Sequence, residues 1–154
     1  MNQIIRRAQK TDISRIAEIL VFTKRMNYRS IFHNDMVSFG EMQVLSTAEE
    51  YMNQLDEIWV YDDGIVKGMV HIKEEEIVEL YVDHFFQSEG IGAKLISFAV
   101  EKGCHWLWVL EKNSRAIKFY QAHGFEKTGI RKFEEGTTEY MIEMSLKETN
   151  SGSL

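Results

Sequence analysis

Residues 77–100 decide the fold of this chain, and they read Ile-Val-Glu-Leu-Tyr-Val-Asp-His-Phe-Phe-Gln-Ser-Glu-Gly-Ile-Gly-Ala-Lys-Leu-Ile-Ser-Phe-Ala-Val. The first part, Ile77–Val82, is β-branched, aromatic or aliphatic apart from Glu79, which predicts a strand buried on at least one face. After Gly92 the apolar residues recur at helical spacing, which predicts a helix that begins near Gly90. The stretch therefore reads as a strand, a loop and a helix.

The loop between that strand and that helix contains Gly90 and Gly92. Glycine lets the backbone turn tightly and lets a ligand approach without meeting a Cβ. A helix N-terminus carries unpaired N–H donors and a partial positive charge, so this loop is suited to binding a phosphate or another anion. The alternative is a tight turn that binds nothing, and the loop alone does not decide between the two.

Length and composition predict one domain, over 1–147, followed by a polar tail at 148–154 that we expect to be disordered. The chain has 154 residues, of which 44% are hydrophobic, enough for one core. Its formal net charge of −6 argues against binding to nucleic acid or to anionic membranes, which needs an excess of Lys and Arg.

The single cysteine, Cys104, cannot form an internal disulfide, and with His105 it has no recognisable zinc-ligand spacing. The N-terminus lacks the order of a signal peptide, and no apolar run approaches the length of a membrane span. We therefore expect a cytoplasmic protein that uses no metal.

The first helix is predicted from apolar residues spaced at three and four, and its pattern runs to about Lys24. From Arg25 to Phe39 the pattern becomes irregular, which predicts a loop with a short helix. This segment is rich in aromatic residues, among them Tyr28, Phe32 and Phe39. These side chains either pack under the loop or line a substrate pocket.

Three strands are predicted in the middle of the chain. Before these strands, Thr47 and Glu50 form a capping-box pattern that predicts a helix from Thr47 to roughly Leu55. Ile58–Tyr61 and 65–72 then flank an Asp-Asp-Gly turn, which is typical of a β-hairpin. An acidic run at 74–76 leads into the strand that contains Glu79; we interpret it as a solvated turn, with a metal site as the alternative.

The second half of the chain predicts one buried strand, one helix and a closing hairpin. The apolar run Trp106–Leu110 follows the glycine-loop helix, an order that most often gives a right-handed parallel unit. Asn113 can cap a further helix that ends at Gly124. The hairpin, at 131–133 and 138–146, offers an edge that could pair with a second copy to form a homodimer.

Two separated stretches match one pattern. Gln87-x-x-Gly90-x-Gly92 resembles the acyl-CoA pyrophosphate loop of the GNAT superfamily of acetyltransferases. The segment 113–125, Asn-Ser-Arg-Ala-Ile-Lys-Phe-Tyr-Gln-Ala-His-Gly-Phe, is similar to that family's Asn-x-x-Ala-x-x-Phe-Tyr signature. The resemblance implies an α+β fold, in which helices flank a twisted mixed sheet and acetyl-CoA lies between two splayed parallel strands.

The resemblance also assigns residues to the cosubstrate. Backbone groups of Leu80, Tyr81 and Val82 would pair with the pantetheine arm. The loop amides that would hold the pyrophosphate are those of Gln87, Ser88, Glu89, Gly90, Ile91, Gly92 and Ala93. Asn113 would bind near the thioester, and Ala116 and Phe119 would pack along the arm.

The resemblance places Tyr120 near the thioester sulfur and lets Glu79 deprotonate the amine directly or through water. The chemistry fits, because an attacking amine must be neutral and a departing thiolate is stabilised by a proton. A backbone N–H of the central strand would stabilise the acyl oxygen. Alternatively Glu79 faces solvent and Tyr120 is a core residue. His84 is a further candidate base or an exposed loop histidine.

The loop departs from the family pattern in its charge. Family loops often carry an arginine beside the glycines, whereas this loop has the acidic Glu89. Lys94, in the first turn of the following helix, is expected to compensate.

These features predict an N-acetyltransferase that moves acetyl from acetyl-CoA to a primary amine by direct attack, without an acyl-cysteine at Cys104. The acidic surface and the aromatic segment favour a small cationic or aromatic amine over a protein lysine or N-terminus. A CoA-binding regulatory module without turnover is the alternative of a different class, and a purely structural domain is a third.

Overall fold

The structure, a computed structural model, describes residues 4–32, 44–134, 136 and 138–147. The chain divides into two compact units, Met1–Cys104 and His105–Leu154. In this described part no helix is both long and apolar enough to cross a membrane. The single domain predicted over 1–147 stays a prediction, and the tail at 148–154 lies outside the described residues.

The first unit contains four antiparallel strands in the order β1-β2-β3-β4, with three α-helices. Short 3₁₀ turns precede α1 and β2 and follow β4. The elements are β1 (Ile5–Arg7), α1 (Ile13–Phe32), α2 (Val44–Met52), β2 (Ile58–Asp62), β3 (Val66–Lys73), β4 (Glu76–Val82) and α3 (Ile91–Glu101). The predicted hairpin, meander and loop-to-helix transition are confirmed.

Helices cover both faces of these strands. One face carries a core formed with α1 and α2, which includes Ile16, Ile19, Leu20, Tyr51, Ile58, Val60 and Met69. On the other face, α3 packs against β3 and β4. Because neighbouring residues of a strand point to opposite faces, alternate side chains of β3 and β4 contact different helices.

Two helix boundaries were predicted wrongly. The first helix does not end near Lys24 but continues over 20 residues to Phe32, since neither glycine nor proline interrupts it and helical continuation does not require a regular apolar stripe. The second helix begins at Val44 and ends at Met52. Thr47 is therefore an interior helical residue, and the predicted capping box is wrong.

The second unit contains β5 (Trp106–Leu110), α4 (Ser114–Ala122), β6 (Phe125–Phe133) and β7 (Tyr140–Leu146). Its strands pair antiparallel in the order β5-β7-β6. The predicted closing hairpin is present, but β6 starts at Phe125, earlier than predicted, because an irregularity between Lys127 and Arg131 hides its alternation. The proposed homodimer edge stays a prediction.

Gly68 on β3 allows α3 to pack closely on the strands. A Cβ at this position would lie 3.0 Å from Leu95 Cδ1 and 3.1 Å from the carbonyl oxygen of Tyr81. The leucine can shift, but the backbone oxygen belongs to the neighbouring strand. The close approach of helix and sheet therefore requires a residue without a side chain.

We expect Gly68→Ala to lower the free energy of unfolding by about 1–3 kcal/mol, a typical effect of overpacking. Alanine would otherwise be preferred to glycine in a strand, so a loss of stability isolates the steric clash. Denaturant unfolding measures the change, with Ser97→Ala on the exposed side of α3 as the control. A Gly68→Ala protein as stable as the wild type would contradict this account.

A salt-bridge cluster fixes the start of α1 against β2. Asp12 accepts hydrogen bonds from Arg6 Nη1 at 2.8 Å, from Arg6 Nη2 at 3.0 Å and from the Gln9 N–H at 2.8 Å. Arg6 Nε also donates to Asp62 at 3.1 Å. The hydrogen bonds from Arg6 hold the pKa of the Asp12 carboxyl below its usual value despite its burial.

Because this pKa is depressed in the folded state, the ionised carboxylate stabilises the fold above the unfolded pKa of about 4 and ceases to do so as the pH falls through the folded pKa. We expect Asp12→Asn to lose about 1–3 kcal/mol of stability near pH 7. The gap from the wild type should shrink as the pH falls below about 4. Chemical unfolding across this range measures it, and a gap independent of pH would show that the charge is not responsible.

Candidate functional site

A β-bulge in β4 determines where Glu79 points. His71 pairs with Glu79, but the next residue of β3, Ile72, pairs with Ile77, so Val78 is an extra residue on β4. Cross-strand partners share a face, and neighbours along a strand do not. Glu79 therefore lies on the opposite face from Ile77, whereas regular alternation would put both on the same face. The bulge directs Glu79 to the face covered by α1 and α2.

Tyr51 of α2 contacts the Glu79 carboxylate directly. Its hydroxyl donates a hydrogen bond to Glu79 Oε2, and the tyrosine is only 6% exposed. Glu79 itself is half-buried. The alternative that Glu79 simply faces solvent is therefore wrong. Sequence reasoning missed Tyr51, because it is separated from Glu79 by 28 positions and only tertiary structure brings them together.

His71 lies beside this pair and is bonded to Glu57. Its Nε2 is 2.9 Å from Glu57 Oε1, and its ring packs edge-on against the Tyr51 ring at a centroid distance of 6.1 Å. His71 is 4% exposed, and no group in the described part of the chain hydrogen-bonds its buried Nδ1. Tyr51, Glu57, His71 and Glu79 thus form a polar cluster, called here the β3–β4 cluster, which includes Tyr51 of the apolar core.

The glycine loop has the geometry of an anion-binding helix start. Gly90 precedes α3 in the left-handed conformation, with φ of 81°, and a Cβ there would meet no atom within 4 Å. The N–H of Lys94 bonds to the carbonyl oxygen of Gly90 at 3.2 Å. Since this closes the first helical turn, the N–H groups of Ile91, Gly92 and Ala93 have no acceptor inside the helix.

The beginning of this loop is held by Asp83, which follows β4. The carboxylate of Asp83 accepts a hydrogen bond from the Phe85 N–H at 2.9 Å and forms an ion pair with Arg15 of α1. Arg15 also donates to the carbonyl oxygen of Val66 at 2.9 Å. Gln87 folds back, and its side-chain amide donates to the carbonyl oxygen of Val82 at 3.2 Å. These contacts tie the loop to both neighbouring strands and to α1.

The acidic residue in the loop is countered by Lys67. Lys67 Nζ lies 3.7 Å from Glu89 Oε1 and 3.0 Å from Asp63 Oδ2, and it sits over the Phe86 ring. The hydrogen bond to Asp63 is the largest of the effects that raise the pKa of Lys67. The Lys94 ammonium contacts the Tyr61 hydroxyl at 3.4 Å, and its compensation of Glu89 stays a prediction.

The second unit positions the other predicted residues on α4. Asn113 caps this helix, and its side-chain oxygen accepts the Ala116 N–H at 3.2 Å. Ala116, Phe119 and Tyr120 share one face of the helix because they are three or four positions apart. Tyr120 is 9% exposed and makes edge-on ring contacts with Phe119 and Phe125. This packing fixes the ring of the predicted proton donor.

The remaining predicted residues are the three aromatic residues of the segment 28–39 and His84. Tyr28 and Phe32 belong to α1, but their side chains lie outside the described residues, as does Phe39 altogether, so a substrate pocket there stays a prediction. His84 is exposed and contacts the rings of Phe22 and Phe85. Across the ranges that the structure describes, no group of three His, Cys, Asp or Glu residues could hold a metal ion.

Cys104, which follows α3 in the sequence, is buried, with 1% of its surface exposed. Its thiol lies 3.8 Å from the carbonyl oxygen of Glu76. Burial, followed by the charges of Glu75 and Glu76, raises the pKa of Cys104 to about 11. The thiol is therefore protonated near neutral pH and is a poor nucleophile.

Comparison with known proteins shows what the chain is similar to. The acetyltransferase (GNAT) domain profile matches residues 54–127, which include β4, the glycine loop and α4. This stretch of the chain is similar to the GNAT superfamily of N-acetyltransferases. An uncharacterised N-acetyltransferase of Lactobacillus delbrueckii subsp. lactis is 32% identical over 80 residues, a match that covers 46% of each chain. The Escherichia coli K12 peptidyl-lysine N-acetyltransferase YiaC is 29% identical over 128 residues, 79% of this chain and 82% of YiaC.

Solved structures confirm the α+β fold predicted for this chain. Apo YjaB of Escherichia coli has a TM-score of 0.74 at 19% identity, with 94% of this chain and 97% of YjaB covered. The PaiA N-acetyltransferase of Thermoplasma acidophilum, determined in complex with coenzyme A, has a TM-score of 0.64 at 18% identity, covering 96% and 100%. At these identities the likeness concerns the fold.

If the thiol takes no part in the reaction, Cys104→Ala should keep kcat within about twofold of the wild type, since a buried thiol with a raised pKa supplies no thiolate. Steady-state thiol release from acetyl-CoA measures this, with thermal unfolding as the control for stability. A large loss of kcat in a folded Cys104→Ala protein would restore the acyl-cysteine route.

Proposed function

We propose that this protein transfers acetyl from acetyl-CoA to a primary amine by direct attack. The observation that carries the proposal is the bond between Tyr51 and Glu79, which holds a carboxylate half-buried on β4. The same strand leads into the glycine loop, so the base and the anion-binding helix start belong to one continuous segment. A continuous segment of this kind would place a proton acceptor on the strand that leads into the loop that binds the pyrophosphate.

The residues present fit acetyl-CoA. The N–H groups of Ile91, Gly92 and Ala93 at the start of α3, with those of Gln87, Ser88, Glu89 and Gly90 before it, would hold the pyrophosphate. Leu80, Tyr81 and Val82 would pair with the pantetheine arm, Asn113 would bind near the thioester, and Ala116 and Phe119 would pack along it. Bound there, the cosubstrate supplies an activated acetyl group that an amine can attack.

Glu79 and Tyr120 divide the proton chemistry. An ammonium has no lone pair, so Glu79 accepts a proton from the bound amine before attack. Tyr120 donates its hydroxyl proton where the thiolate leaves. The contact with Tyr51 keeps the Glu79 carboxylate in one orientation, which is what a base needs in order to reach its substrate.

We propose a small cationic or aromatic amine as the acceptor, supported by the net charge of −6 and the aromatic segment at 28–39. A protein lysine is the second candidate, supported by the likeness to the peptidyl-lysine N-acetyltransferase YiaC. Thiol release measured against a panel of small amines and lysine peptides separates the two. A kcat/KM higher for a lysine peptide than for every small amine would exchange the order.

We expect Glu79→Gln and Tyr120→Phe each to lower kcat by at least about 100-fold, the usual contribution of a positioned acid or base. Affinity for CoA should change by less than about twofold, because neither side chain binds the pyrophosphate. Kinetics with the best amine of the panel measure the first effect and calorimetry with CoA the second. A fully active Tyr120→Phe protein would remove the proton-donor assignment.

The same measurements separate the proposal from a protein that only binds CoA. Tight CoA binding without thiol release for any acceptor would favour a regulatory module. Absence of CoA binding would leave neither function standing.

A further inference from the structure

The N–H groups at the start of α3 suit two anions, the diphosphate of acetyl-CoA and the carboxylate of Glu89. Glu89 stands immediately before Gly90, the N-cap of α3. Among the described residues, Lys67 alone pairs with its carboxylate, at 3.7 Å between Nζ and Oε1. We propose that Lys67 keeps the Glu89 carboxylate off these amides and that Asp63 limits this effect by competing for Lys67. The inference rests on the proposed function.

Glu89 is placed along the chain as an internal competitor for the site. It precedes Ile91, the first residue of α3, by a single glycine. A carboxylate at this end of a helix is stabilised by the unpaired N–H groups and by the partial positive charge there. The same two properties suit the helix start to a diphosphate. A Glu89 side chain turned onto α3 would therefore occupy the amides and repel an incoming phosphate.

Lys67 is fixed beside the loop through both its backbone and its side chain. Its carbonyl oxygen accepts the N–H of Asp83 at 2.8 Å, where β4 has ended and the loop begins. Its ammonium lies 4.5 Å from the centroid of the Phe86 ring, whose face attracts a cation. The Lys67 side chain is 16% exposed and that of Glu89 is 50% exposed. The lysine is therefore the held partner of this pair, and the glutamate is the one with room to turn.

Asp63 shares the ammonium of Lys67. Its Oδ2 lies 3.0 Å from Lys67 Nζ, within the range of an N–H···O hydrogen bond, whereas the 3.7 Å to Glu89 is longer than that range. The attraction of Lys67 for Glu89 is therefore weaker than that of an undivided ion pair. Neutralising Asp63 should strengthen it and leave the amides of α3 more available to the diphosphate.

The test measures the Kd of CoA by calorimetry at low ionic strength, where exposed charges act most strongly. We expect Lys67→Gln to weaken binding at least about fivefold, because Glu89 is then released toward the amides. Glu89→Gln should strengthen binding about threefold, because the competing charge is gone. Asp63→Asn should also strengthen it, by a smaller factor. Unchanged or weaker binding by Glu89→Gln would overturn the inference, even if Lys67→Gln failed to fold.

A double variant separates an effect through Glu89 from a direct contact between Lys67 and the phosphates. If Lys67 acts through Glu89, adding Lys67→Gln to Glu89→Gln should change the Kd of CoA by less than about twofold. An equal loss in both backgrounds would overturn the inference, since Lys67 would then act on the diphosphate itself or on the fold of the loop.

A donor without the diphosphate gives a readout that a merely structural role of Lys67 would not leave unchanged. S-acetylpantetheine carries the thioester and the pantetheine arm alone. We expect its kcat/KM to stay within about twofold of the wild type in every variant, while the kcat/KM for acetyl-CoA follows the changes in Kd. A parallel loss with both donors would show a distorted site and overturn the inference.

Glu101→Gln and Lys73→Gln are the matched controls, and both residues are exposed. Glu101 ends the 11-residue α3, about 15 Å along the helix from Ile91 and beyond the screening length at physiological salt. Lys73 lies at the end of β3 that is far from Lys67. Neither change should alter the Kd of CoA by more than about 1.5-fold. A shift by Glu101→Gln as large as that by Glu89→Gln would show that net charge governs affinity and would overturn the inference.

The failure of this inference and the failure of the proposed function give different results. Wild-type protein that does not bind CoA would remove both. Wild-type protein that binds CoA and acetylates an amine, with the same Kd in all variants, would remove the inference alone.

Discussion

The register between β3 and β4 is the constraint on which the site depends. Side chains alternate along a strand, so a slip of one residue would turn every one of them to the other face. The bulge at Val78 uses this property locally, because it leaves Ile77 paired with Ile72 while Glu79 is paired with His71. One inserted residue thus separates an apolar core position from a polar one two positions away. A bulge that redirects a side chain is a recurrent feature near functional sites.

That register gives an otherwise costly group of side chains a consistent set of partners. Burying hydroxyl, imidazole and carboxylate groups is unfavourable unless they bond to one another. Tyr51 bonds to Glu79, and His71 bonds to Glu57, so each of these four side chains has a hydrogen-bonding partner. Two bonds with partners from α2 and from the 3₁₀ turn before β2 also couple these segments to the strands. The bonds therefore offset part of the cost of burying these groups and hold Glu79 in one orientation.

Local patterns in the sequence predicted elements whose causes are local. The Asp-Asp-Gly turn, the run Trp106–Leu110 and the cap at Asn113 depend on neighbouring residues, and the structure has them where the sequence indicated. The end of α1 and the start of α2 were missed, since no glycine or proline stands next to either boundary in the sequence. The partners of Glu79 were missed for another reason. Nothing close to Glu79 in the sequence indicates Tyr51, and the bulge that redirects its side chain lies inside a run that reads as a plain strand.

The charges around the glycine loop indicate that an anion there would be held by directed backbone N–H groups rather than by net positive charge. Lys67 Nζ lies 3.7 Å from the Glu89 carboxylate, and the Asp63 carboxylate lies closer to the same ammonium, at 3.0 Å. One ammonium shared by two carboxylates cannot also supply a strong positive field for a phosphate. The N–H groups at the start of α3 are different, because their direction is set by the helix and the left-handed Gly90, not by mobile side chains. An anion held by such amides needs no arginine beside the glycines. This accounts physically for a loop that has the glycines of the pattern it resembles while carrying an acid beside them.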